Sequence, residues 1–126
     1  MSVDVAVFTV PGEPVSKERP RLGAGGRTYT PDKTKTAEEK IGWCFHAAVK
    51  GWKVDADSTF GVDLIFWNST RHRRDIDNMC KTVLDGLNGL CWKDDWQVTE
   101  IQAVKHVGAL EPHTYIRIYR TEGDNP

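Results

Sequence analysis

Residues 77–89 read DNMCKTVLDGLNG, and the spacing of their apolar side chains predicts an amphipathic helix. At 100° per residue, one side of this helix is apolar and is formed by Ile76, Met79, Cys80, Val83, Leu84 and Leu87. The opposite side carries a narrow polar stripe of Asp77, Lys81, Asp85 and Asn88. Asp77 is placed to be the N-cap, with Asp75 just outside the helix. Such a helix packs its apolar side on a sheet and keeps the stripe in solvent.

The segments around this helix show the alternation of apolar and polar residues that is typical of strands. Strands are predicted at residues 3–10, 59–67, 97–107 and 113–120. A first helix is predicted after Thr36. Its apolar face is formed by Ala37, Ile41, Cys44, Phe45, Ala48 and Trp52. Thr36 and Glu39 resemble a capping box at its start, and Gly51 is a stop signal. The order β-α-β-α-β-β predicts an α+β fold with two helices on a small mixed four-stranded sheet.

The chain of 126 residues has the length of one domain, which we expect to span residues 1–120, followed by a frayed tail at 121–126. Residues 16–32 contain prolines and glycines without periodicity, and they predict a long loop of the kind that is usually functional. No apolar run approaches the roughly 20 residues of a membrane helix. The first residues lack the features of a signal peptide. We therefore expect a cytoplasmic protein without membrane contact.

The three cysteines, Cys44, Cys80 and Cys91, cannot pair completely, and none lies in a Cys-x-x-Cys motif. Reduced thiols are the expectation for an intracellular chain. A zinc site with His46, His72 or His106 would be a second possibility, but no pair has finger-like spacing. Buried, unreactive thiols are the favoured interpretation.

Charge is strongly segregated along the chain, although the formal net charge is only −1. Residues 15–36 contain six basic side chains against Glu18 and Asp32, and residues 71–74 read RHRR. The remainder of the chain is correspondingly acidic. This distribution predicts a basic footprint for nucleic acid that the net charge alone would hide.

Carboxylates are concentrated next to the second basic segment. Asp75 and Asp77 follow it directly, and Asp94 and Asp95 stand after the helix, where a short loop could return them to the same place. One interpretation is structural, with an N-cap aspartate and an exposed Lys81–Asp85 pair. The other is functional: converging carboxylates repel one another, and a hard divalent cation with oxygen ligands relieves that repulsion. Arginines beside such a cation suit a phosphodiester substrate.

Three blocks of sequence, in order, resemble the RusA family of Holliday-junction resolvases. The first is RRDIDN at residues 73–78, the second consists of Lys81, Asp85 and Gly86-Leu87, and the third is WKDDWQV at residues 92–98. The N-terminal segment SKERPR at residues 16–21, with later Tyr29-Thr30-Pro31, resembles a loop of many phage-borne members. Glu18 departs from the small or neutral residue expected within that loop. The resemblance covers about residues 3–120.

The resemblance implies a homodimeric, magnesium-dependent endodeoxyribonuclease, active in recombination and repair, that nicks opposing strands of a four-way DNA junction. Mn²⁺ could replace Mg²⁺, and no organic cofactor is expected. Carried over by residue, the metal ligands are Asp75, Asp77 and Asp95, and Lys81 completes the catalytic set, with Asp94 a further candidate. The residues expected to bind DNA are Lys17, Arg19, Arg21, Lys33, Arg71, Arg73 and Arg74.

Two other functions remain open at this point. A DNA-binding protein without catalysis would use the aspartates as caps and solubilising charge, but it would gain nothing from placing them beside its arginines. A nuclease that prefers flaps or replication forks would share the metal ligands and differ in how it recognises the branch. Trp92 and Trp96 flank the acidic pair and could stack on bases, although core or dimer contacts are the favoured interpretation.

Overall fold

The computed structural model describes residues 3–17, 21–26, 28–29, 32–71 and 74–121. Its elements in chain order are β1 (Val3–Pro11), β2 (Arg21–Leu22), β3 (Thr28–Tyr29), α1 (Asp32–Ala48), β4 (Thr59–Trp67), α2 (Ile76–Leu87), β5 (Val98–His106) and β6 (His113–Thr121). No helix in the described ranges combines the length and apolar character needed to cross a bilayer.

Four of the strands form one mixed sheet in the order β1-β6-β4-β5. β6 lies antiparallel to both β1 and β4, whereas β4 and β5 run parallel. A parallel pair requires a crossover connection, and α2 supplies it here. The predicted α+β fold, with its mixed four-stranded sheet and β-α-β-α-β-β order of main elements, is therefore confirmed.

The core lies between one face of this sheet and the two helices. Alternate residues of β4 point into it, and α1 and α2 contribute their apolar sides. The side chains that are at most 5% exposed include Phe60, Val62, Leu64, Phe66, Ile41, Phe45, Met79, Val83 and Leu87. Packing of this kind leaves the polar stripe of α2 on the outside, as its periodicity predicts.

The start of α2 differs from the prediction. The helix begins at Ile76 and ends at Leu87, so Asp75, and not Asp77, occupies the N-cap position. Asp77 lies in the first helical turn, where its carboxylate accepts a hydrogen bond from the adjacent Asn78 N–H at 3.0 Å. An acidic side chain in the first turn is favoured by the helix dipole without being the cap.

Other boundaries are also corrected. α1 begins at Asp32, so Thr36 lies inside the helix instead of capping it, and the acidic Asp32 falls in the first turn. It ends at Ala48, and Trp52 lies beyond Gly51, whose φ of +78° is suited to glycine. The segment predicted as a long loop contains the short antiparallel pair β2–β3. Thr121 belongs to β6 and not to a tail, and residues 122–126 lie outside the described ranges.

The two helices approach each other most closely at glycines. A Cβ atom on Gly86 of α2 would stand 2.9 Å from the backbone oxygen of Glu38 in α1, and 3.1 Å from Cβ of Ile41. A Cβ atom on Gly42 of α1 would stand 2.8 Å from the terminal Cδ1 of Leu90. The absence of a side chain at Gly86 therefore brings Glu38 against α2.

Gly86→Ala should lower the free energy of unfolding by about 1–3 kcal/mol, because the added methyl group meets a helix backbone that cannot give way. Gly42→Ala is the matched control. Its methyl group would meet the flexible end of the Leu90 side chain at 2.8 Å and the backbone oxygen of Gly86 at an ordinary 3.6 Å, and the better helix propensity of Ala offsets the closer contact. Urea unfolding of both variants tests this, and a Gly86→Ala protein as stable as Gly42→Ala would contradict the close contact.

Candidate active site

The first two acidic residues stand at the start of α2 and are exposed. Asp75 has the extended backbone of an N-cap, with φ −70° and ψ 131°, but its side chain makes no capping hydrogen bond. Its carboxylate has a contact at the limit of hydrogen-bond distance, 3.5 Å from Nδ2 of Asn78. Because a capping role would require a bond to the helix N–H groups, capping does not explain Asp75.

Lys81 and Asp85 continue along α2 at intervals of four residues from Asp77, and all three are exposed. Side chains at this spacing lie above one another on one helix face. We call Asp77, Lys81 and Asp85 the acidic stripe. It places an ammonium group between two carboxylates on the outer side of the helix.

Asp95 begins a 3₁₀ turn, Asp95–Gln97, that follows the loop after α2. Trp92, whose side chain is completely buried, donates a hydrogen bond from Nε1 to Oδ1 of Asp95 at 3.2 Å. Asp94 and Gln97 form a capping box around the turn. Asp95 is therefore exposed but held on a fixed support.

Gln97 is the centre of that support and is itself completely buried. Its Oε1 accepts from the N–H groups of Lys93 and Asp94, at 2.9 and 3.1 Å. Its Nε2 donates to the carbonyl oxygens of Asp55 and Ser58, at 2.8 and 2.9 Å. One amide thus joins the turn that carries Asp95 to the loop before β4.

Asp55 fixes that loop in turn. Its carboxylate accepts from the N–H groups of Asp57 and Ser58, both at 3.0 Å, and from Nη2 of Arg120 at 2.9 Å. Burial opposes ionisation of Asp55, but these hydrogen bonds outweigh it and hold its pKa far below the usual range. The turn that carries Asp95 is therefore connected to β6 through Gln97 and the ion pair of Asp55 with Arg120.

The surroundings of Asp95 oppose its ionisation. Its pKa is raised, first by burial and then by the negative charges of Asp85 and Asp94, while the hydrogen bond from Trp92 acts in the opposite direction. Asp85 belongs to the acidic stripe, so the negative charge of this stripe acts on Asp95. A cation at this surface would relieve the repulsion.

The oxygen donors suit a hard divalent cation, but they do not form a closed cage. Among the residues that the structure describes, no three His, Cys, Asp or Glu side chains are grouped closely enough to hold a metal ion. Asp75 and Asp77 stand at the start of α2, and Asp95 stands on the turn that follows the loop after this helix. The carboxylate oxygens of the predicted ligands Asp75, Asp77 and Asp95 are therefore suited to such a metal ion. In the described side-chain positions, these three carboxylates are not drawn together around one point.

A cavity of about 370 Å³ lies elsewhere, on the buried side of α2. Met79, Thr82 and Val83 of that side line it, together with residues of α1 and the end of β1. The acidic stripe faces the other way. The carboxylates therefore stand on an open surface, which is accessible to a substrate as large as a DNA duplex.

Two of the residues predicted to bind DNA are engaged within the protein. Nη1 of Arg74, whose side chain is 19% exposed, lies 3.6 Å from Oε2 of Glu13 and donates to Oδ1 of Asn68 at 3.4 Å. Nζ of Lys17 contacts Glu38 at 2.6 Å and Asp85 at 3.1 Å. These contacts tie the arginine-rich segment and the basic loop to the body of the domain.

The structure describes some of the other residues that are predicted to bind DNA, and not all of them. Lys33, in the first turn of α1, and Arg71 are exposed. Arg21 belongs to β2, although its side chain is not among those described. Arg19 and Arg73 lie outside the described residues.

The aromatic and sulfur residues separate into buried and exposed groups. Trp92 is in the core, as the favoured interpretation holds, whereas Trp96 is 67% exposed. The three cysteines are free, and two of them, Cys80 and Cys91, are buried. Burial raises the pKa of the Cys91 thiol to about 12, so this thiol stays protonated and unreactive.

Sequence reasoning missed Gln97, Asp55 and Glu38 as supporting residues. A signal for Gln97 exists, because Asp94 followed three residues later by Gln97 is a capping-box pattern. The partners of Asp55 and Glu38 are distant in sequence, at Arg120 and Lys17. No local pattern points to them.

Gln97→Ala should lower the free energy of unfolding by about 2–4 kcal/mol, because it leaves buried carbonyl and N–H groups without partners. Gln102→Ala, at an exposed position of β5, is the control and should be near neutral. Urea unfolding followed by circular dichroism provides the comparison. Equal stability of the two variants would contradict the supporting role of Gln97.

Comparison with known proteins agrees with the three sequence blocks. The profile of a family described as Endodeoxyribonuclease RusA matches residues 11–119, a span that includes the acidic stripe and the turn of Asp95. A protein of Aquifex aeolicus (strain VF5) described as Crossover junction endodeoxyribonuclease RusA is 31% identical over 96 residues, which are 75% of this chain and 74% of that protein. The chain therefore belongs to the RusA family of endodeoxyribonucleases.

Proposed function

We propose that this protein is a magnesium-dependent, structure-selective endodeoxyribonuclease that resolves four-way DNA junctions by paired symmetric nicks, in recombination and repair in the cytoplasm. The observation that carries the proposal is the open surface at α2. There Asp75, at the N-cap position but without a capping hydrogen bond, adjoins Asp77, and Asp95 stands exposed on the turn after the helix, supported by Trp92 and Gln97. The family of the chain and the junction-cleaving description of its relative support the same reaction.

In this proposal Asp75, Asp77 and Asp95 hold Mg²⁺, which Mn²⁺ can replace. When bound, such an ion activates water and stabilises the leaving oxygen of a phosphodiester. The raised pKa of Asp95 means that its carboxylate takes up a proton more readily than an ordinary aspartate. Metal binding requires the ionised form, and it is therefore weakened as the pH falls.

Lys81 stands one helical turn after Asp77, with an exposed side chain. From there its ammonium group can donate a hydrogen bond to a phosphate oxygen at the cut site. Positive charge placed where negative charge develops stabilises the transition state. We assign this role to Lys81, in agreement with the essential lysine that the family resemblance implies.

Binding of branched DNA is assigned to the basic side chains that surround the acidic stripe. Lys33 and Arg71 are exposed and available to phosphates. Arg19, Arg21 and Arg73 are assigned with them on the charge pattern of the sequence. Arg74 acts differently, because its contacts with Glu13 and Asn68 hold the segment that precedes Asp75.

We further propose that the active form is a homodimer. Each chain carries one such carboxylate site, and two cuts related by near two-fold symmetry require two sites in that relation. A C2 dimer supplies them. Sedimentation equilibrium at micromolar concentration with junction DNA tests this point, and a persistent monomer would contradict it.

The cut map of a mobile four-way junction, run beside a flap of matched sequence with Mg²⁺, tests the proposed function directly. We expect paired nicks at symmetric positions of opposing strands, with weaker cleavage of the flap. A single nick per junction together with preferred flap cleavage would instead show a flap or fork nuclease. An uncut set of branched substrates would contradict both.

Asp75→Asn and Asp77→Asn should each abolish cleavage and leave junction binding unchanged or tighter, because removal of negative charge near phosphates strengthens electrostatic attraction. Glu39→Gln, an exposed carboxylate of α1, is the control and should cut normally. Gel-shift titration and cleavage assays separate binding from catalysis. A near-normal rate for either aspartate variant would show that the residue is not a ligand, and loss of the circular dichroism spectrum would favour a structural role.

A further inference from the structure

We infer that Lys17 is a positioning residue of the active site, which clamps the start of the basic loop along α2 through Asp85 and Glu38. This inference rests on the proposed function and assigns roles to three residues outside the metal and phosphate contacts. Its basis is a set of contacts that joins the chain before residue 18 to both helices.

The backbone of Lys17 is anchored first. Its N–H group donates to the carbonyl oxygen of Asn78 at 2.9 Å. Asn78 directly follows Asp77 in the first turn of α2. The chain therefore passes beside the start of the acidic stripe immediately before it enters the basic segment.

The side chain then runs along the helix. Nζ lies 3.1 Å from Oδ2 of Asp85, seven residues after Asn78, a distance of about 10 Å along the helix axis. Nζ also donates to Oε1 of Glu38 in α1 at 2.6 Å. Lys17 thus spans two turns of α2 on the side that faces α1, next to the acidic stripe.

The ammonium group is not free to bind a phosphate in this arrangement. Its side chain is 23% exposed, and that of Glu38 is 22% exposed. Burial lowers the pKa of Lys17, but the hydrogen bonds to Glu38 and Asp85 outweigh this effect, so the pKa ends above its ordinary value and the group remains charged. A partly buried cation between two carboxylates loses both pairings if it turns toward DNA.

The position of Asp85 connects the clamp to catalysis. Asp85 lies on the acidic stripe, one helical turn after Lys81. By pairing with Asp85, Lys17 neutralises a charge on the acidic stripe and holds its own backbone beside the first turn of α2. The expected consequence of losing Lys17 is misplaced substrate, with phosphate binding preserved.

A double-mutant cycle with Lys17→Met and Asp85→Asn tests the inference, with Lys17→Arg as the conservative variant. Two lysine controls complete the set: the exposed Lys50→Met at the end of α1, and the predicted phosphate contact Lys33→Met. Junction affinity is measured at several salt concentrations, and the single-turnover cleavage rate at saturating protein. The free energy of unfolding of each variant is measured by urea without DNA.

We expect Lys17→Met to lower the single-turnover rate about ten- to a hundredfold, because small displacements of a substrate are costly. The salt slope of binding should stay as in the unmodified protein, whereas Lys33→Met should reduce it by about 0.9. The double variant should be no slower than Lys17→Met, since both changes remove one interaction. Lys17→Arg should retain most of the rate, and Lys50→Met all of it.

Three results would overturn the inference: a normal cleavage rate for Lys17→Met, a salt slope that falls as in Lys33→Met, or additive effects of the two substitutions on unfolding. Failure of the proposed function is distinguishable, because the unmodified protein would then not make paired nicks in the four-way junction. In that case, the double-mutant cycle measured by urea unfolding still tests whether Lys17 and Asp85 interact. Coupling between Lys17 and Asp85 supports the clamp, and its absence refutes it.

Discussion

The close approach of α1 and α2 at Gly86 is the constraint on which the site depends. Because Gly86 has no side chain, the backbone of Glu38 comes to within 2.9 Å of where a Cβ atom would stand. Glu38 can then share Lys17 with Asp85 of the other helix. The same packing fixes which side of α2 is buried, and so it turns Asp77, Lys81 and Asp85 outward.

The second part of the site is tied to the sheet through the loop before β4. Asp95 is supported by the buried Trp92 and by a turn that Gln97 joins to Asp55. Asp55 is in turn paired with Arg120 of β6, and this pair connects the turn of Asp95 to the sheet. Side chains that must cooperate in catalysis benefit from such rigid supports, since small errors of position are costly. The acidic surface is thus assembled from one helix and one sheet-bound turn.

Much of the fold could be predicted because its main strands and helices show regular spacing of apolar residues. The alternation of residues 59–67 predicts β4 with the bounds that the structure has, and the apolar side of α2 follows from its 3.6-residue repeat. The first residues of the helices were predicted less accurately, because several acidic or hydroxyl side chains lie near the start of each helix and any of them could serve as the N-cap. The pairing of β2 with β3 was missed for a related reason, since two-residue strands carry no periodicity.

The acidic part of the candidate site stands out in the sequence, whereas the contacts of its basic residues within the protein do not. Asp75, Asp77 and Asp95 stand out as an unusual concentration of carboxylates, and their family blocks are continuous in sequence. Lys17 and Arg74 look like phosphate contacts in sequence, because their partners are far away or hidden in other segments: Glu38, Asp85 and Glu13. Likewise, Trp92 and Trp96 are four residues apart, yet one is buried and the other exposed. Only the three-dimensional structure shows which of the basic residues make such contacts within the protein.

A crystal structure of the protein with Mn²⁺, with the ion located by its anomalous scattering, tests the central claim most directly. We expect one ion at the start of α2 with Asp75, Asp77 and Asp95 as ligands, and with Lys17 still paired to Asp85. An ion bound instead by Asp85 and Asp94, away from Asp75 and Asp77, would contradict the assignment of the catalytic centre.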